Sequence, residues 1–177
     1  MGMMHHVSVS AIIEAPAQRV YAILADYRDG HPRILPQPPF HSYELESGGQ
    51  GAGTIIRFTM TALGKTQAFR GIVSEPEPGR VLVESYFDSR TVTTFTVDPV
   101  GGDNQARVTF ATELEVRGGF LGSLERFLIT RFLRRTYRRE LQQLAAVASR
   151  SHQTARPTKD AKNEKKKKPQ MDTDKHR

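Results

Sequence analysis

The sequence lacks cysteine and any long apolar run, and each absence excludes a class of protein. Without cysteine there is no disulfide framework, no thiolate metal site and no cysteine nucleophile. No stretch approaches the roughly 20 apolar residues that a bilayer-spanning helix needs. Residues 1–6 show no basic segment followed by an apolar one, so no secretory signal is predicted. We therefore expect a cytoplasmic protein.

Basic residues are concentrated in one part of the chain, and this explains most of the net charge of +7. Residues 149–177 carry 10 Lys or Arg and 4 Asp or Glu, a net charge of +6, which leaves +1 for the other 148 residues. The basic character is thus mostly that of a tail. We predict one domain over residues 1–148 and a basic, disordered tail over 149–177.

The apolar pattern predicts an α+β protein with one short helix, about seven strands and one long helix. Residues 7–13 nearly alternate, with Val7 and Ile13 on the buried face, and Pro16 suits the start of a helix over 17–27. Segments separated by Gly-, Pro- and Asp-rich turns then predict six strands. These strands are residues 41–47, 54–63, 66–74, 80–86, 91–97 and 105–114. Short turns between successive strands indicate antiparallel pairing.

Residues 120–148 form the predicted long helix, which has no proline and follows Gly118-Gly119. Its apolar stripe changes direction. Leu124 and Leu128 belong to one face, whereas Tyr137, Leu141 and Leu144 define another. A bend or a change of packing partner near residues 129–135 would explain the change.

Three motifs resemble the START and birch-pollen-allergen superfamily, also called SRPBCC. The opening Ile13-Glu14-Ala15-Pro16, with Val20-Tyr21 and Leu24-Ala25-Asp26-Tyr27 after it, is similar to the opening of the family's chains. Residues 73–82 resemble its central hairpin, and residues 93–97 with 106–109 resemble its last hairpin. The nearest similarity is to the polyketide cyclase/dehydrase and coenzyme-Q-binding-type branch.

The resemblance implies a helix-grip fold, in which a curved antiparallel sheet wraps around the long C-terminal helix. It also implies a pocket between sheet and helix for a lipid, quinone, polyketide or other hydrophobic small molecule. A minority of such proteins are enzymes, and no cofactor is expected. The oligomeric state is left open.

The strand alternation predicts which side chains would line such a pocket, although each of them could instead be ordinary core. The apolar candidates are Ile56, Phe58, Met60, Phe69, Phe95, Phe110, Leu124 and Leu128. Arg70 and Tyr86 are the polar candidates, because an arginine fork would hold a polar ligand head. The alternative is that Arg70, like Arg57, lies on a solvated outer face. Asp26 and Tyr27 are expected to cap and pack the first helix.

An enzyme would need a general acid or base, and His31 and Tyr86 are the candidates. A histidine in a Gly-His-Pro loop is typical of an exposed position, so we expect His31 to be exposed. No nucleophile-elbow, phosphate-loop or nucleotide-binding motif is present. The adjacent His5 and His6 lack further ligands for a metal. The leading hypothesis is a binding or carrier protein, and the alternative is a cyclase or dehydratase that uses Tyr86 or Arg70.

The arginines at positions 131, 134, 135, 138 and 139 allow a third hypothesis, in which the long helix and the tail dock on an anionic membrane or on a partner. The alternative is a solvated helix face. The run of lysines at 165–168 could also contact nucleic acid without sequence preference, but no aromatic stacking platform accompanies it. We therefore expect no specific nucleic-acid binding.

Overall fold

A computed structural model describes residues 2–102 and 104–154 of the chain. Its elements are β1 (Met3–Ile13), α1 (Ala17–Ala25), a 3-10 turn (His31–Ile34), β2 (Phe40–Ser47), β3 (Ile55–Ala62), β4 (Lys65–Glu77), β5 (Val81–Tyr86), β6 (Val92–Pro99), β7 (Ala106–Val116) and α2 (Gly119–Thr154). Every predicted element is present in the predicted order. α2 continues past the predicted end at residue 148, and the rest of the predicted tail, residues 155–177, lies outside the described part.

The strands form one antiparallel sheet of seven strands in the order β1-β7-β6-β5-β4-β3-β2. The first strand therefore pairs with the last, in a register that places Met3 opposite Val116 and Ile13 opposite Ala106. A two-residue turn at Leu63 and Gly64 joins β3 to β4, and both residues have positive φ, at 50° and 77°. Such a turn matches the twist of the strands it connects.

Irregularities in two strands help to curve the sheet around α2. The register shifts within β2 and again within β4, between Ser74 and Glu77. A bulge bends a strand and increases its twist. The curved sheet, α1 and the C-terminal half of α2 enclose one apolar core, to which α2 contributes Tyr137, Leu141, Leu144 and Ala148. The predicted helix-grip architecture is therefore confirmed.

α2 is helical throughout, and its two apolar faces have different surroundings. The face of Tyr137, Leu141 and Leu144 is buried in the core. The other face, which we call the outer apolar face, remains largely in solvent. Its members and exposed fractions are Phe120 89%, Leu121 73%, Leu124 54%, Phe127 64% and Leu128 38%. The apolar stripe of α2 therefore changes face where the rest of the domain begins to cover the helix.

A cavity with a polar inner end

A cavity of about 640 Å³ lies between the sheet and α2. Its apolar wall comes from alternate residues of the central strands, because successive side chains on a strand point to opposite faces. Ile56, Phe58 and Met60 of β3, Phe69 of β4 and Phe95 of β6 line it. The Phe58 and Phe69 rings stack with their centroids 5.2 Å apart. The volume suits an organic ligand of ordinary size.

The mouth of the cavity lies where the β3–β4 turn, the β5–β6 loop and the start of α2 meet. Leu63, Lys65, Ser89 and Arg117 line the cavity there and are exposed, and Glu125 beside them is partly buried. The opposite part, which we call the inner end, is lined by seven polar residues that are each at most 6% exposed. They are His31, Glu84, Thr93, Thr112, Thr136, Tyr137 and Glu140.

Glu84 is the centre of a hydrogen-bond network at the inner end. The Tyr27 hydroxyl donates to Glu84 Oε1 at 2.9 Å, and the Tyr86 hydroxyl donates to Oε2 at 2.6 Å. Burial, followed by the negative charge of Glu84, raises the pKa of Tyr27 well above its usual value. Tyr27 therefore stays a donor at any ordinary pH, and each carboxylate oxygen of Glu84 has a fixed partner.

His31 joins this network from the 3-10 turn. Its Nδ1 lies 2.9 Å from the Leu24 carbonyl oxygen, which can only accept, so Nδ1 carries a proton. Its Nε2 is thereby directed into the cavity and lies 3.6 Å from Glu84 Oε1. The imidazole stacks on the Tyr27 ring at 4.5 Å and meets Phe95 edge-on at 5.5 Å. Packing on both sides fixes the orientation of the ring.

Glu140 contributes a second carboxyl group, from the buried face of α2. It is 3% exposed, and no residue in the described ranges forms a hydrogen bond with its carboxyl group. Burial, followed by repulsion from Glu84, raises the pKa of Glu140 well above its usual value. The inner end therefore contains a carboxyl group that favours its neutral, proton-donating form.

Hydroxyl groups complete the inner end. Thr93 and Thr112 face each other on β6 and β7, with their oxygens 2.9 Å apart, and Thr112 is also hydrogen-bonded to the Tyr137 hydroxyl. Tyr137 contacts Phe110 edge-on at 5.7 Å. The polar groups thus come from five elements that converge at one place. They form a surface that can donate hydrogen bonds to a ligand and accept them from it.

The structure places six of the ten predicted site residues in the cavity wall: Ile56, Phe58, Met60, Phe69, Tyr86 and Phe95. Phe110 is fully buried in the core behind the wall. Leu124 and Leu128 were expected to point inward, and this is wrong, because they belong to the outer apolar face. The helix lines the cavity with the neighbouring stripe, which includes Ile129, Leu133 and Tyr137.

Arg70 also lies outside the cavity, on the outer face of the sheet. It sits opposite Arg57 in the β3–β4 pair, and both donate to the Glu46 carboxylate, at 2.7 Å and 2.8 Å. These hydrogen bonds, first that of Arg57, lower the pKa of Glu46. The Arg70 guanidinium also lies 4.9 Å from the Phe87 ring centroid. The expectation that Arg70 polarises a ligand carbonyl is therefore wrong, and the alternative of an outer position holds.

The expectation of an exposed His31 is also wrong, since the side chain is 3% exposed. Asp26 is the residue that organises this loop. Its carboxylate accepts hydrogen bonds from the backbone N–H groups of Arg28, Asp29 and Gly30 at 3.0–3.1 Å. This cap turns the chain after α1 and carries His31 inward. The predicted capping role of Asp26 is confirmed. Tyr27 was expected only to pack the helix, but its hydroxyl also donates a hydrogen bond to Glu84.

Sequence reasoning missed Glu140 and gave Glu84 no particular role. One signal was available. Glu140 occupies the same helical face as Tyr137 and Leu144, three residues after the one and four before the other, so it is an acidic residue on a core-facing stripe.

The arginines of α2 at positions 131, 134, 135, 138 and 139 are exposed. Arg135 and Arg139 line an outer groove of about 870 Å³ between α2 and residues 36–41. Phe132 and Thr136 line both the groove and the cavity, so they separate the two. Within the described residues, no cluster of side chains could hold a metal ion, and no helix is long and apolar enough to span a membrane.

A sequence profile of the family described as polyketide cyclase/dehydrase and lipid transport matches residues 4–149. The chain belongs to this family. The match covers all seven strands, α1 and the part of α2 that lines the cavity. The predicted superfamily is thereby confirmed. No curated protein matches the sequence.

Solved structures show the same family fold. The NMR structure of the KanY protein is 24% identical, with a TM-score of 0.72, over 83% of this chain and 99% of that chain. The Zhui aromatase/cyclase from Streptomyces sp. R1128 is 18% identical, with a TM-score of 0.70, over 85% and 96%. A START superfamily protein from Mycobacterium smegmatis is 17% identical, with a TM-score of 0.63, over 83% and 99%. At these identities the likeness establishes the fold alone.

Proposed function

We propose that this protein binds a hydrophobic small molecule in the cavity, with the apolar part of the ligand against β3, β4 and β6 and a polar group at the inner end. The observation that carries the proposal is the combination of a 640 Å³ apolar space with seven buried polar residues at one end. Pockets of this size and composition are typical of sites for organic ligands, in which a few polar groups fix the orientation. The family membership supports the same function.

The test has two parts. Protein recovered from its native host is analysed by native mass spectrometry for a bound molecule, and purified protein is titrated with a panel of lipids, quinones and aromatic polyketides. We expect a ligand or at least one micromolar binder. A protein that is consistently empty and binds no member of the panel would overturn the proposal.

A matched pair of variants tests where the ligand binds. Met60→Trp adds a large ring to the cavity wall, whereas Ile72→Trp adds the same ring on the outer face of the neighbouring strand, where Ile72 is 38% exposed. We expect the first variant to lower the affinity about tenfold or more and the second to leave it within about twofold. Equal effects would place the ligand elsewhere.

A second candidate function is a proton-transfer enzyme such as a cyclase or dehydratase. The observation that favours it is the pairing of a carboxylate held by two tyrosines, Glu84, with a carboxyl group that favours its neutral form, Glu140. Two acidic groups in different protonation states are the requirement for general acid–base catalysis.

In such an enzyme Glu84 would remove a proton from a carbon between two carbonyl groups, and that carbon would bond to the carbon of a third carbonyl group. Glu140 would give its proton to the oxygen of that third carbonyl, which becomes a hydroxyl. In a dehydration, the Glu140 carboxylate would then remove the remaining proton from the attacking carbon, and Glu84 would return its proton to the hydroxyl, which leaves as water. If this function is correct, Glu84→Gln and Glu140→Gln each lower the turnover of a polyketide-type substrate about 100-fold or more. Unchanged turnover in both variants would exclude it.

A further inference from the structure

The charges that line the cavity are segregated by sign. The two carboxyl groups of the inner end, Glu84 and Glu140, come from β5 and α2. The lining cations with permanent charge, Lys65 and Arg117, are both exposed at the mouth. Among the described lining residues, the inner end therefore has no lysine or arginine that could pair with an anionic ligand. The lone group there that can become cationic is His31.

Glu140 indicates which kind of ligand group would bind at the inner end. Its carboxyl group is buried, faces the cavity and has no hydrogen-bond partner in the described chain. Burial of a polar group without a partner costs free energy, so such a group is normally satisfied. A ligand group that donates hydrogen bonds and carries positive charge would satisfy it, and would also reduce the repulsion between Glu140 and Glu84.

Aromatic rings add to the same preference. Tyr86 and Phe95 line the cavity beside the carboxyl groups, and Tyr27 lies directly behind them. The face of an aromatic ring attracts a cation, and more strongly where water is excluded. A carboxylate in this place would face two acidic groups, with no lysine or arginine of the described lining at the inner end to compensate its charge. The same surroundings therefore attract a cation and repel an anion.

We propose that the ligand of this cavity is a hydrophobic amine, which binds with its ammonium group at the inner end between Glu84 and Glu140 and with its apolar part toward the mouth. The inference rests on the proposed binding function and narrows it to one chemical class. Fatty acids and other apolar carboxylates are excluded by the same arrangement, since they would bring an uncompensated negative charge to the inner end.

Four probes with one skeleton test the inference: 2-(2-naphthyl)ethylamine, 2-(2-naphthyl)ethanol, 2-naphthylacetic acid and 2-ethylnaphthalene. Their dissociation constants are measured by calorimetric titration of the full-length protein at pH 7.5. We expect the amine to bind about tenfold or more tighter than the alcohol and the hydrocarbon, and the acid to bind weakest.

Variants then locate the ammonium group. Glu140→Gln keeps the shape of the side chain and removes the acid that would give up its proton to pair with the ammonium group. We expect this variant to weaken binding of the amine about tenfold and to leave binding of the alcohol within about twofold. Glu113→Gln is the matched control, because Glu113 is an exposed carboxylate of β7 that does not line the cavity. It should leave both affinities unchanged.

The outcomes separate this inference from the broader function. Equal binding of all four probes, or tightest binding of the alcohol or the acid, would overturn the amine assignment and leave a hydrophobic-ligand protein. An amine preference that survives Glu140→Gln would also overturn it. Failure of all four probes to bind would count against the binding function itself.

Discussion

Phe110 packs between the sheet and α2. It is fully buried, and its ring meets Phe95 edge-on at 4.7 Å and Tyr137 edge-on at 5.7 Å. Phe110→Ala should therefore lower the free energy of unfolding by about 3–5 kcal/mol, as large-to-small changes in a core do. Chemical denaturation measures the effect. Phe120→Ala, at a position that is 89% exposed, is the control and should change stability by less than about 0.5 kcal/mol.

Glu140 gives stability a dependence on pH. The folded state raises the pKa of this carboxyl group, so between the unfolded-state pKa and the higher folded-state pKa the folded protein keeps a proton that the unfolded chain releases. The contribution of Glu140 to the free energy of unfolding is fully present below the unfolded-state pKa. It is lost as the pH rises through the folded-state pKa.

We therefore expect Glu140→Gln to stabilise the protein at pH 8 and to have little effect near pH 4. Thermal melts of both proteins from pH 4 to pH 8 measure the difference. The titratable groups that face Glu140 are Glu84 and Tyr86 of β5, His31 of the 3-10 turn and Tyr137 of α2. They are present in both proteins, and Glu84 repels the ionised form of Glu140, so the difference between the two proteins includes this repulsion. A constant difference across the pH range would contradict the prediction.

At the scale of the element, α2 contains a buried half and an uncovered half. The outer apolar face begins at the start of α2, which borders the cavity mouth. A group of exposed apolar side chains of this kind is typical of an interaction surface. The expectation of contact with an anionic membrane stays a prediction, and we expect the outer apolar face to form the apolar part of that contact.

We predict that the double variant Leu121→Ser, Phe127→Ser loses about tenfold or more of its binding to vesicles that contain anionic lipid, because each buried apolar side chain contributes about 1.5–3 kcal/mol. Vesicle sedimentation measures the effect. The control is Ile12→Ser, Ile72→Ser, which removes exposed apolar side chains from other parts of the surface. Wild-type protein that does not bind the vesicles, or equal loss in both variants, would contradict the prediction.

The strands and α2 differ in how well the sequence predicts which side chains face the cavity. Alternation located the strands and placed Phe58 and Met60 in the cavity wall, since a strand has two faces and the apolar one must be covered. A helix does not have two alternating faces, because its side chains point in all directions around the axis. The most apolar stripe of the first half of α2 belongs to the outer apolar face, and only the tertiary arrangement decides which stripe the sheet covers.

The inner end could not be predicted because its members are distant in the sequence. His31, Glu84, Thr112 and Glu140 come from four separate elements, and no local periodicity brings them together. A buried carboxyl group also contradicts the usual pattern of burial, so a sequence favours its exposure by default. Such departures from the general pattern concentrate where a protein acts.

At the scale of the whole molecule, the pairing of β1 with β7 joins the two ends of the domain. β1 buries Val7 and Ile13 and supplies one side of the sheet beside the cavity-lining strand β7. We expect a protein that lacks residues 2–13 to lose its cooperative thermal transition, because removal of the strand exposes the core under β7. Circular dichroism during heating measures this loss. A cooperative transition near that of the full-length protein would contradict it.

The same pairing also bears on synthesis of the protein by the ribosome. β1 leaves the exit tunnel before the other six strands of the sheet, yet its partner β7 is the last of the seven to be synthesised, and Met3 pairs with Val116. Until then β1 is a nascent segment with apolar side chains and unsatisfied backbone groups, the kind of segment that chaperones protect. Translation of nearly the whole domain must therefore precede closure of its sheet.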